Sequence, residues 1–71
     1  MSDDAKRRRR LIQIKRENGL TYAGLAELAG ARIKTVESWL STPGTSGHRP
    51  IPAYRLDLIE LRLQIQKRGE L

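Results

Sequence analysis

The fold depends on residues 21–40, which read TYAGLAELAGARIKTVESWL. Apolar side chains recur in each half of this stretch at the 3.6-residue spacing of an amphipathic helix. They are Leu25, Ala26 and Ala29 in the first half, and Val36, Trp39 and Leu40 in the second. Gly30 lies between the halves, where a glycine can adopt the left-handed conformation that ends a helix without a Cβ penalty. The stretch therefore predicts two short helices, at about 22–29 and 32–40, joined by a tight turn.

Two short helices at this spacing, with the small Ala26 where a second helix would cross closely, are typical of a DNA-binding helix-turn-helix. The stretch resembles the helix-turn-helix of the Cro/phage-repressor family. The matching positions are the Leu25-Ala26 pair, Gly30 four residues later, Val36 six beyond that, and Trp39. The segment IKRENGLT at 14–21 is similar to the end of that family's first helix. Within the family, RPIPAY at 49–54, followed by one last helix, is similar to the small anti-CRISPR-associated phage regulators.

The resemblance implies an all-α, compact four-helix domain with a lambda-repressor-like DNA-binding fold, whose partner is double-stranded DNA. The single domain, 1–71, divides into a basic arm or start of the first helix (1–10), the helix-turn-helix (21–40), a loop (41–52) and a final helix (53–67). Three positions depart from the family pattern. One is Gly24, inside the first motif helix, where it costs about 1 kcal/mol relative to Ala. Tyr22 stands where the family usually has Gln, and Arg32 stands where it commonly has a capping Ser or Thr. We therefore expect the second motif helix to lack a side-chain N-cap, which is typically worth about 1 kcal/mol.

The composition is that of a small basic protein. The chain has 71 residues, a net charge of +6 and a sequence pI of about 10.5, with no cysteine and one histidine. A chain this short buries only about 60 % of its unfolded surface, so we expect a partner chain to add stability. Residues 6–49 carry ten Lys/Arg against three Asp/Glu, a surplus of seven, which places the positive charge with the motif. No apolar run approaches 18 residues and no signal peptide is visible, which favours a soluble protein of the bacterial cytoplasm, associated with the nucleoid and not with a membrane.

The N-terminal segment carries five consecutive basic residues, KRRRR at 6–10. Two interpretations stay open for it. One is a solvated helix face or a disordered basic arm, and the other is contact with nucleic-acid phosphates. The first helix continues with Leu11 and Ile14 facing inward, and Asn18-Gly19 ends it.

The candidate DNA-binding residues lie mainly on the helix predicted at 32–40. If its apolar residues face the core, the opposite side presents Arg32, Lys34, Thr35 and Ser38, with Ile33 and Glu37 on its flanks. Lys34 has the chemistry to donate to guanine O6 or N7, and Ser38 can contact either kind of base. Ile33 fits either contact with a thymine methyl group or an ordinary core contact.

The candidate set extends to both sides of this helix. Thr21, which N-caps the preceding helix, and Tyr22 complete it on the N-terminal side. Residues 41–52 read STPGTSGHRPIP, a loop by composition that is long for a connection in so small a domain. In the resembled family the segment after the recognition helix lies along the DNA backbone, so the resemblance implies phosphate contacts by His48 and Arg49. A solvated flexible loop is the open alternative.

The last segment predicts a helix over 53–67, with Pro52 in its first turn and its end before Gly69. It carries two apolar stripes, Leu56/Ile59/Leu63 and Leu58/Leu61/Ile65. One stripe can cover the preceding helices, and the other then needs a partner. A second copy of the same helix is the simplest candidate and gives a two-fold homodimer. The LxL alternation also fits a strand, although Leu, Arg, Gln and Glu favour a helix.

These patterns predict a sequence-specific, double-stranded DNA-binding transcriptional regulator, a homodimeric repressor of bacterial or phage type that binds an inverted-repeat operator. Two alternatives stay open: an antitoxin-like protein-interaction module that uses the final helix, and a basic non-specific nucleic-acid-binding protein. With no cysteine, one histidine and no metal-ligand cluster, we expect no catalytic site, metal, cofactor or small-molecule ligand.

Overall fold

Four α-helices make up the structure, a computed structural model that describes residues 3–69, and no strand occurs in that range. The helices are α1 (Asp3–Glu17), α2 (Tyr22–Ala29), α3 (Ile33–Leu40) and α4 (Ala53–Gly69). Helix α2 packs against α3 and α4, and α1 packs against the same two helices. The prediction of an all-α, compact four-helix architecture is confirmed, and the strand interpretation of the last segment is wrong. None of the helices described is long and apolar enough to cross a membrane.

The helix boundaries follow the predicted ones closely, with two corrections. Helix α3 begins at Ile33 because the backbone of Arg32, the N-cap, is extended (φ −85°, ψ 155°). Helix α4 continues through Gly69 instead of ending before it. Its last turn holds Lys67 and Arg68, whose positive charges favour the C-terminal end of a helix. Pro52 precedes the first helical residue, and its carbonyl accepts from the N–H groups of the first turn.

One hydrophobic core receives side chains from all four helices and from the loop. Its buried members are Leu11, Ile14, Leu25, Ala26, Leu28, Ala29, Val36, Trp39, Ile51, Leu56 and Ile59. Every residue predicted to face inward from the first two helices is among them. Leu40 is only half-buried at the edge of this core. Ile51, almost fully buried, was not predicted as a core residue, since its flanking prolines mark the segment as a loop.

The turn at Gly30 holds α2 and α3 in a fixed relation. Gly30 has the predicted left-handed backbone (φ 65°). Its N–H donates to Glu27 O (3.3 Å), and the N–H of Ala31 donates to Ala26 O (2.9 Å). This is the Schellman pattern, which satisfies carbonyls that a helix end would otherwise leave unpaired. At the other end of α2, Thr21 Oγ1 accepts from the N–H of Gly24 (3.0 Å), as its predicted N-cap role requires.

Arginine side chains from α4 donate to four carbonyls at the end of α2, of which only Glu27 O also accepts from the turn. That helix has no basic residue in its own last turn. Arg55 Nη1 donates to Ala29 O (2.6 Å) and Gly30 O (3.1 Å), and Arg62 Nη1 donates to Glu27 O (3.0 Å) and Leu28 O (3.2 Å). A charged donor at a helix C-terminus satisfies the carbonyls and opposes the negative end of the helix dipole. The turn is thereby attached to α4 as well as to α3.

The basic run at 6–10 is part of α1, so the interpretation as a disordered arm is wrong for the residues that the structure describes. Arg8 donates to Leu40 O (3.2 Å) and Ser41 O (3.1 Å), which caps α3. Arg7 Nε donates to Ile51 O (3.0 Å), and Arg10 donates twice to Glu60 Oε1 (2.9 and 2.7 Å). At least three of the five basic side chains therefore bind the protein itself, which neither interpretation from sequence included.

Candidate nucleic-acid interface

The outer side of α3 is an exposed, mostly polar surface. Val36 and Trp39 are buried on the inner side. About 100° of rotation per residue then places Lys34 and Ser38 on the outer side. Lys34 is exposed and Ser38 is half-buried. We define the outer face of α3 as Arg32, Ile33, Lys34, Glu37 and Ser38.

Two positions on this helix differ from the prediction. Glu37 was expected on a flank, but it is exposed and closer in rotation to the centre of the outer face. Thr35 was expected on the outer side, but it is half-buried and lies toward the core flank. Ile33 is 49 % exposed, so the interpretation of this residue as an ordinary core contact is wrong. The outer face of α3 therefore combines two basic, one acidic and one aliphatic side chain with Ser38.

The N-terminal end of α3 has no side-chain cap. Arg32 makes no side-chain capping hydrogen bond, as the sequence predicted. The first N–H groups of α3 thus lack a side-chain acceptor at the N-cap position. A shallow groove between α2 and the start of α3 is lined by Ala23, Ala26, Glu27, Ala31, Arg32, Ile33 and Lys34. The positive end of the helix dipole and two cationic side chains coincide here, which makes this end of the helix electropositive.

The C-terminal end of α3 is closed by the loop that follows it. The backbone N–H of Arg49 donates to Ser38 O (3.1 Å). Ser41 Oγ donates to Glu37 O (2.7 Å), and His48 Nδ1 lies 3.1 Å from Ser41 O. The loop is therefore anchored to α3, and Arg49 is exposed beside this helix. His48 is half-buried, with its ring directed to this loop contact.

Several predicted site residues make hydrogen bonds or ring contacts within the protein. Thr21 Oγ1 is the N-cap acceptor of α2, and Ser38 Oγ donates to Lys34 O (3.1 Å). Tyr22 is exposed, with Lys15 Nζ 5.4 Å from the centre of its ring. Their roles in the free protein are thus partly structural, although each hydroxyl keeps lone pairs that can accept another hydrogen bond.

The structure brings most of the predicted set to one helix and its neighbouring loop. Arg32, Ile33, Lys34 and Ser38 share the outer face of α3, and Arg49 is bonded to the same helix. Thr21 and Tyr22 lie at the start of α2. The arginines that cap helix ends, Arg8, Arg55 and Arg62, were missed, as was the bond from Arg7 to the loop carbonyl of Ile51. A signal existed for the three capping residues: α2 and α3 have no basic residue in their last turns, so their last carbonyls need donors from elsewhere.

A second basic surface lies on the outer side of α1. Lys6, Arg9 and Arg16 line a shallow depression there together with Arg10, Ile12, Gln13 and Glu17. Lys6, Arg9 and Arg16 are exposed and are separated by about one and two helical turns. Among residues 3–69 no group of three His, Cys, Asp or Glu is placed to hold a metal ion.

No family model, curated protein or solved structure matches this chain. The similarity of residues 21–40 to the Cro/phage-repressor helix-turn-helix therefore stays a prediction from the quoted residues.

Proposed function

We propose that this protein is a sequence-specific, double-stranded DNA-binding regulator that inserts α3 into the major groove. The observation that carries the proposal is the outer face of α3, a polar surface on a short helix that is fixed at both ends. A helix with its side chains is about 10–12 Å across, and the major groove is about 12 Å wide. In this proposal α2, the turn at Gly30 and α3 act as the helix-turn-helix.

Fixed orientation supports a role in base reading, because hydrogen bonds to base edges require side chains held within fractions of an ångström. Val36 and Trp39, on the inner side of α3, pack this helix against the core. The turn at Gly30 holds its first residue, and Arg8 together with the N–H of Arg49 holds its last turn. A helix so restrained loses little further entropy when it binds.

Each side chain on the outer face of α3 has a matching group in DNA. Lys34 suits guanine O6 and N7, Ile33 suits the thymine methyl group, and Ser38 suits either kind of base. Glu37 can accept from the N4 amino group of cytosine. Arg32 at the open end of α3 and Arg49 beside its closed end are placed for phosphates, which position the protein without reading sequence.

The regulator acts as a homodimer in this proposal. Two copies present two α3 helices to half-sites about one helical turn apart, so the operator is an inverted repeat. The partner surface is the exposed apolar side of α4, and the mechanism is steric exclusion of other DNA-binding proteins. The working compartment is the bacterial cytoplasm, where the DNA is.

One specific observation favours a different function, non-specific nucleic-acid binding. The basic side chains of Lys6, Arg9 and Arg16 lie on the outer side of α1, away from the core. Binding through such a surface depends on counterion release alone and carries no sequence information. An antitoxin-like interaction module remains the other alternative, in which the exposed side of α4 binds a different protein.

Selection from a pool of random duplex DNA at about 150 mM salt, where non-specific binding is weak, tests the proposal. The wild-type protein should enrich an inverted repeat. Lys34→Ala should change the enriched motif at one position in each half-site, and Arg16→Ala, the matched control on α1, should leave the motif unchanged. No enriched motif, with binding only at low salt that Arg16→Ala reduces, would replace this proposal by the non-specific one.

A further inference from the structure

Helix α4 has a second apolar stripe that its own core does not cover. The stripe consists of Tyr54, Leu58, Leu61 and Ile65, at successive spacings of four, three and four residues. Leu58 is half-buried, and the other three are 64 %, 53 % and 57 % exposed in chain order. Spacings of four and three in alternation define the seam of a two-stranded coiled coil. We call these four residues the α4 seam.

The seam continues beyond the protein's own core. The buried residues of α4 are Leu56 and Ile59, both in its first half, and Leu63 is partly buried against the core. Residues 64–69 are all exposed. Helices in water derive most of their stability from the packing of an apolar face. Residues 64–69 therefore include an apolar residue, Ile65, that the core of its own chain does not cover.

The two flanks of the α4 seam carry different charges. Helical rotation places Asp57 and Gln64 along one flank, and Arg55 and Arg62 along the other. Asp57 is exposed and makes no ion pair with any of the residues described here. Arg62 uses Nη1 for its two carbonyl bonds to α2, and neither bond involves its Nε or Nη2. One flank is thus acidic and neutral, and the other is basic.

This charge pattern discriminates between the two orientations of a symmetric helix pair. In a parallel pair, unlike flanks meet, and Asp57 faces Arg62 of the second copy at the five-residue offset of coiled-coil ion pairs. The two-fold axis makes two such pairs. In an antiparallel pair, like flanks meet, so Arg55 faces Arg62 of the second copy and the cations repel each other. The parallel arrangement is complementary to itself, and the antiparallel one is not.

We infer that the α4 seam binds the α4 seam of a second copy of this chain in parallel and in register. The inference specifies the homodimer of the proposed function and rests on that part of it. The seam residues agree with a two-stranded pair, since Leu58 and Ile65 occupy one repeat position, and Tyr54 and Leu61 the other. Each seam residue then contacts its own counterpart across the axis.

Disulfide trapping tests the orientation directly, because the chain contains no cysteine to give background cross-links. Ile65→Cys should form a disulfide-linked dimer under mild oxidation in dilute solution. In an antiparallel pair centred on the seam, the two residues at 65 would lie about 16 Å apart at 1.5 Å per residue. This separation is too large for a disulfide, which can join Cα atoms no more than about 7 Å apart.

Gln66→Cys is the matched control, since it is exposed on the same helical turn but lies off the seam. It should form no disulfide-linked dimer under the same oxidation. Cross-linking of the double variant Tyr54→Cys/Ile65→Cys without cross-linking of Ile65→Cys would show an antiparallel pair and overturn the inference. Absence of cross-links in all three variants would show that a second copy does not occupy the seam, and would also overturn it.

Sedimentation of Leu61→Glu provides an independent measurement. Leu61 is more than half exposed in the single chain, so the variant should keep its helical circular dichroism. It should lose the dimer completely, because each copy would place a carboxylate against its counterpart in the seam. A dimer that persists in Leu61→Glu would contradict the inference.

The outcomes separate this inference from the proposed function, because neither cross-linking nor sedimentation involves DNA. If Ile65→Cys failed to cross-link while the protein still enriched an inverted repeat from random DNA, parallel pairing of the α4 seam would be wrong and the DNA-binding proposal would stand. If Ile65→Cys cross-linked as a parallel dimer but the protein enriched no motif, the pairing of the α4 seam would stand and the DNA-binding proposal would be wrong.

Discussion

Helices α3 and α4 lie on the same core, and their outer sides are opposite in chemistry. The outer face of α3 presents Lys34, Glu37 and Ser38, whereas that of α4 presents Leu61 and Ile65. A polar face is stable in water and can exchange water for base edges or phosphates when DNA approaches. A row of apolar side chains is better covered, and a row of this kind on a small protein marks a contact with another macromolecule. The two faces therefore suit the two different partners proposed above, DNA for α3 and a second copy of the chain for α4.

The helices also differ in how they are held. Side chains and backbone groups from other elements bond to the end of α3, through Arg8, Ser41 and Arg49. The last six described residues of α4 are exposed. A surface that reads base edges needs a fixed orientation, which the bonds at the end of α3 supply. A helix that pairs with the same helix of a second copy can be stabilised by packing against it.

The largest expected difference between α3 and α4 is in the free energy of unfolding that is lost when Trp39 or Leu61 is replaced by alanine. Trp39→Ala should lower the free energy of unfolding by about 3–5 kcal/mol, because Trp39 is buried beneath α3 and its removal leaves a cavity. Urea denaturation followed by circular dichroism measures this. A loss below about 1 kcal/mol would show that the core can collapse around the site.

Leu61→Ala is the matching change on α4 and should have little effect in the monomer. Surface substitutions away from special features usually alter stability by no more than about 0.5 kcal/mol. Measured at concentrations low enough to dissociate any dimer, Leu61→Ala should stay within that range. Destabilisation comparable to that of Trp39→Ala would show that Leu61 belongs to the core of the single chain.

The next effect concerns DNA and is confined to α3. Lys34→Ala should weaken specific binding by about 1–3 kcal/mol and relax the preference at one base position. Arg49→Ala should weaken binding more evenly across sequences, because a phosphate contact carries no sequence information. Titration of a selected operator and of its point variants measures both. Unchanged affinity and preference in Lys34→Ala would show that the outer face of α3 is not the reading surface.

Most of the helical framework could be predicted from the sequence, because it depends on local patterns. The positions of α2 and of the turn at Gly30 follow from apolar spacing and from the conformational freedom of glycine. For α4 the spacing predicts two apolar stripes, and the packed structure shows that Leu56/Ile59/Leu63 is the one that faces the core. Such signals lie within a few residues of the structure that they specify.

The missed features involve residues distant in sequence. Arg8 caps a helix end more than thirty residues away, and Arg62 does the same for α2. The count of basic residues over 6–49 places Arg8 with the positive charge of the motif, although its guanidinium is used to cap α3 within the fold. Ile51 was missed because Pro50 and Pro52 predict an exposed loop, and only the packed structure shows that its side chain fills the core. The placement of Thr35 depended on how far α3 is rotated, which the sequence leaves open by tens of degrees.

A smaller effect should separate the basic residues that hold α3 from those that face solvent. Arg8→Ala should lower the free energy of unfolding by about 1–2 kcal/mol, since it removes charged donors from the carbonyls of Leu40 and Ser41. Lys6→Ala, on an exposed position of the same helix, is the control and should change stability little. Urea denaturation of the two variants compares them. Equal effects would show that the cap at the end of α3 adds nothing to stability.

The smallest expected effect has opposite signs for stability and for DNA binding. Arg32 is the N-cap of α3 with an extended backbone but no side-chain acceptor. Arg32→Ser supplies that acceptor in a compatible backbone conformation, so it should raise the free energy of unfolding by about 0.5–1 kcal/mol. It also removes a cation from the electropositive end of α3, so DNA affinity should fall. Denaturation and operator titration on the same preparation measure the two changes.

Arg32→Ala separates the cap from the charge. It removes the same cation without supplying an acceptor, so it should reduce DNA affinity as Arg32→Ser does while leaving stability near that of the wild type. If Arg32→Ser raised stability and left DNA affinity intact, the open end of α3 would be only a weak point in the fold. If both variants bound DNA less tightly, the missing cap would be explained by function, because a basic residue at this position serves the ligand at the expense of the helix.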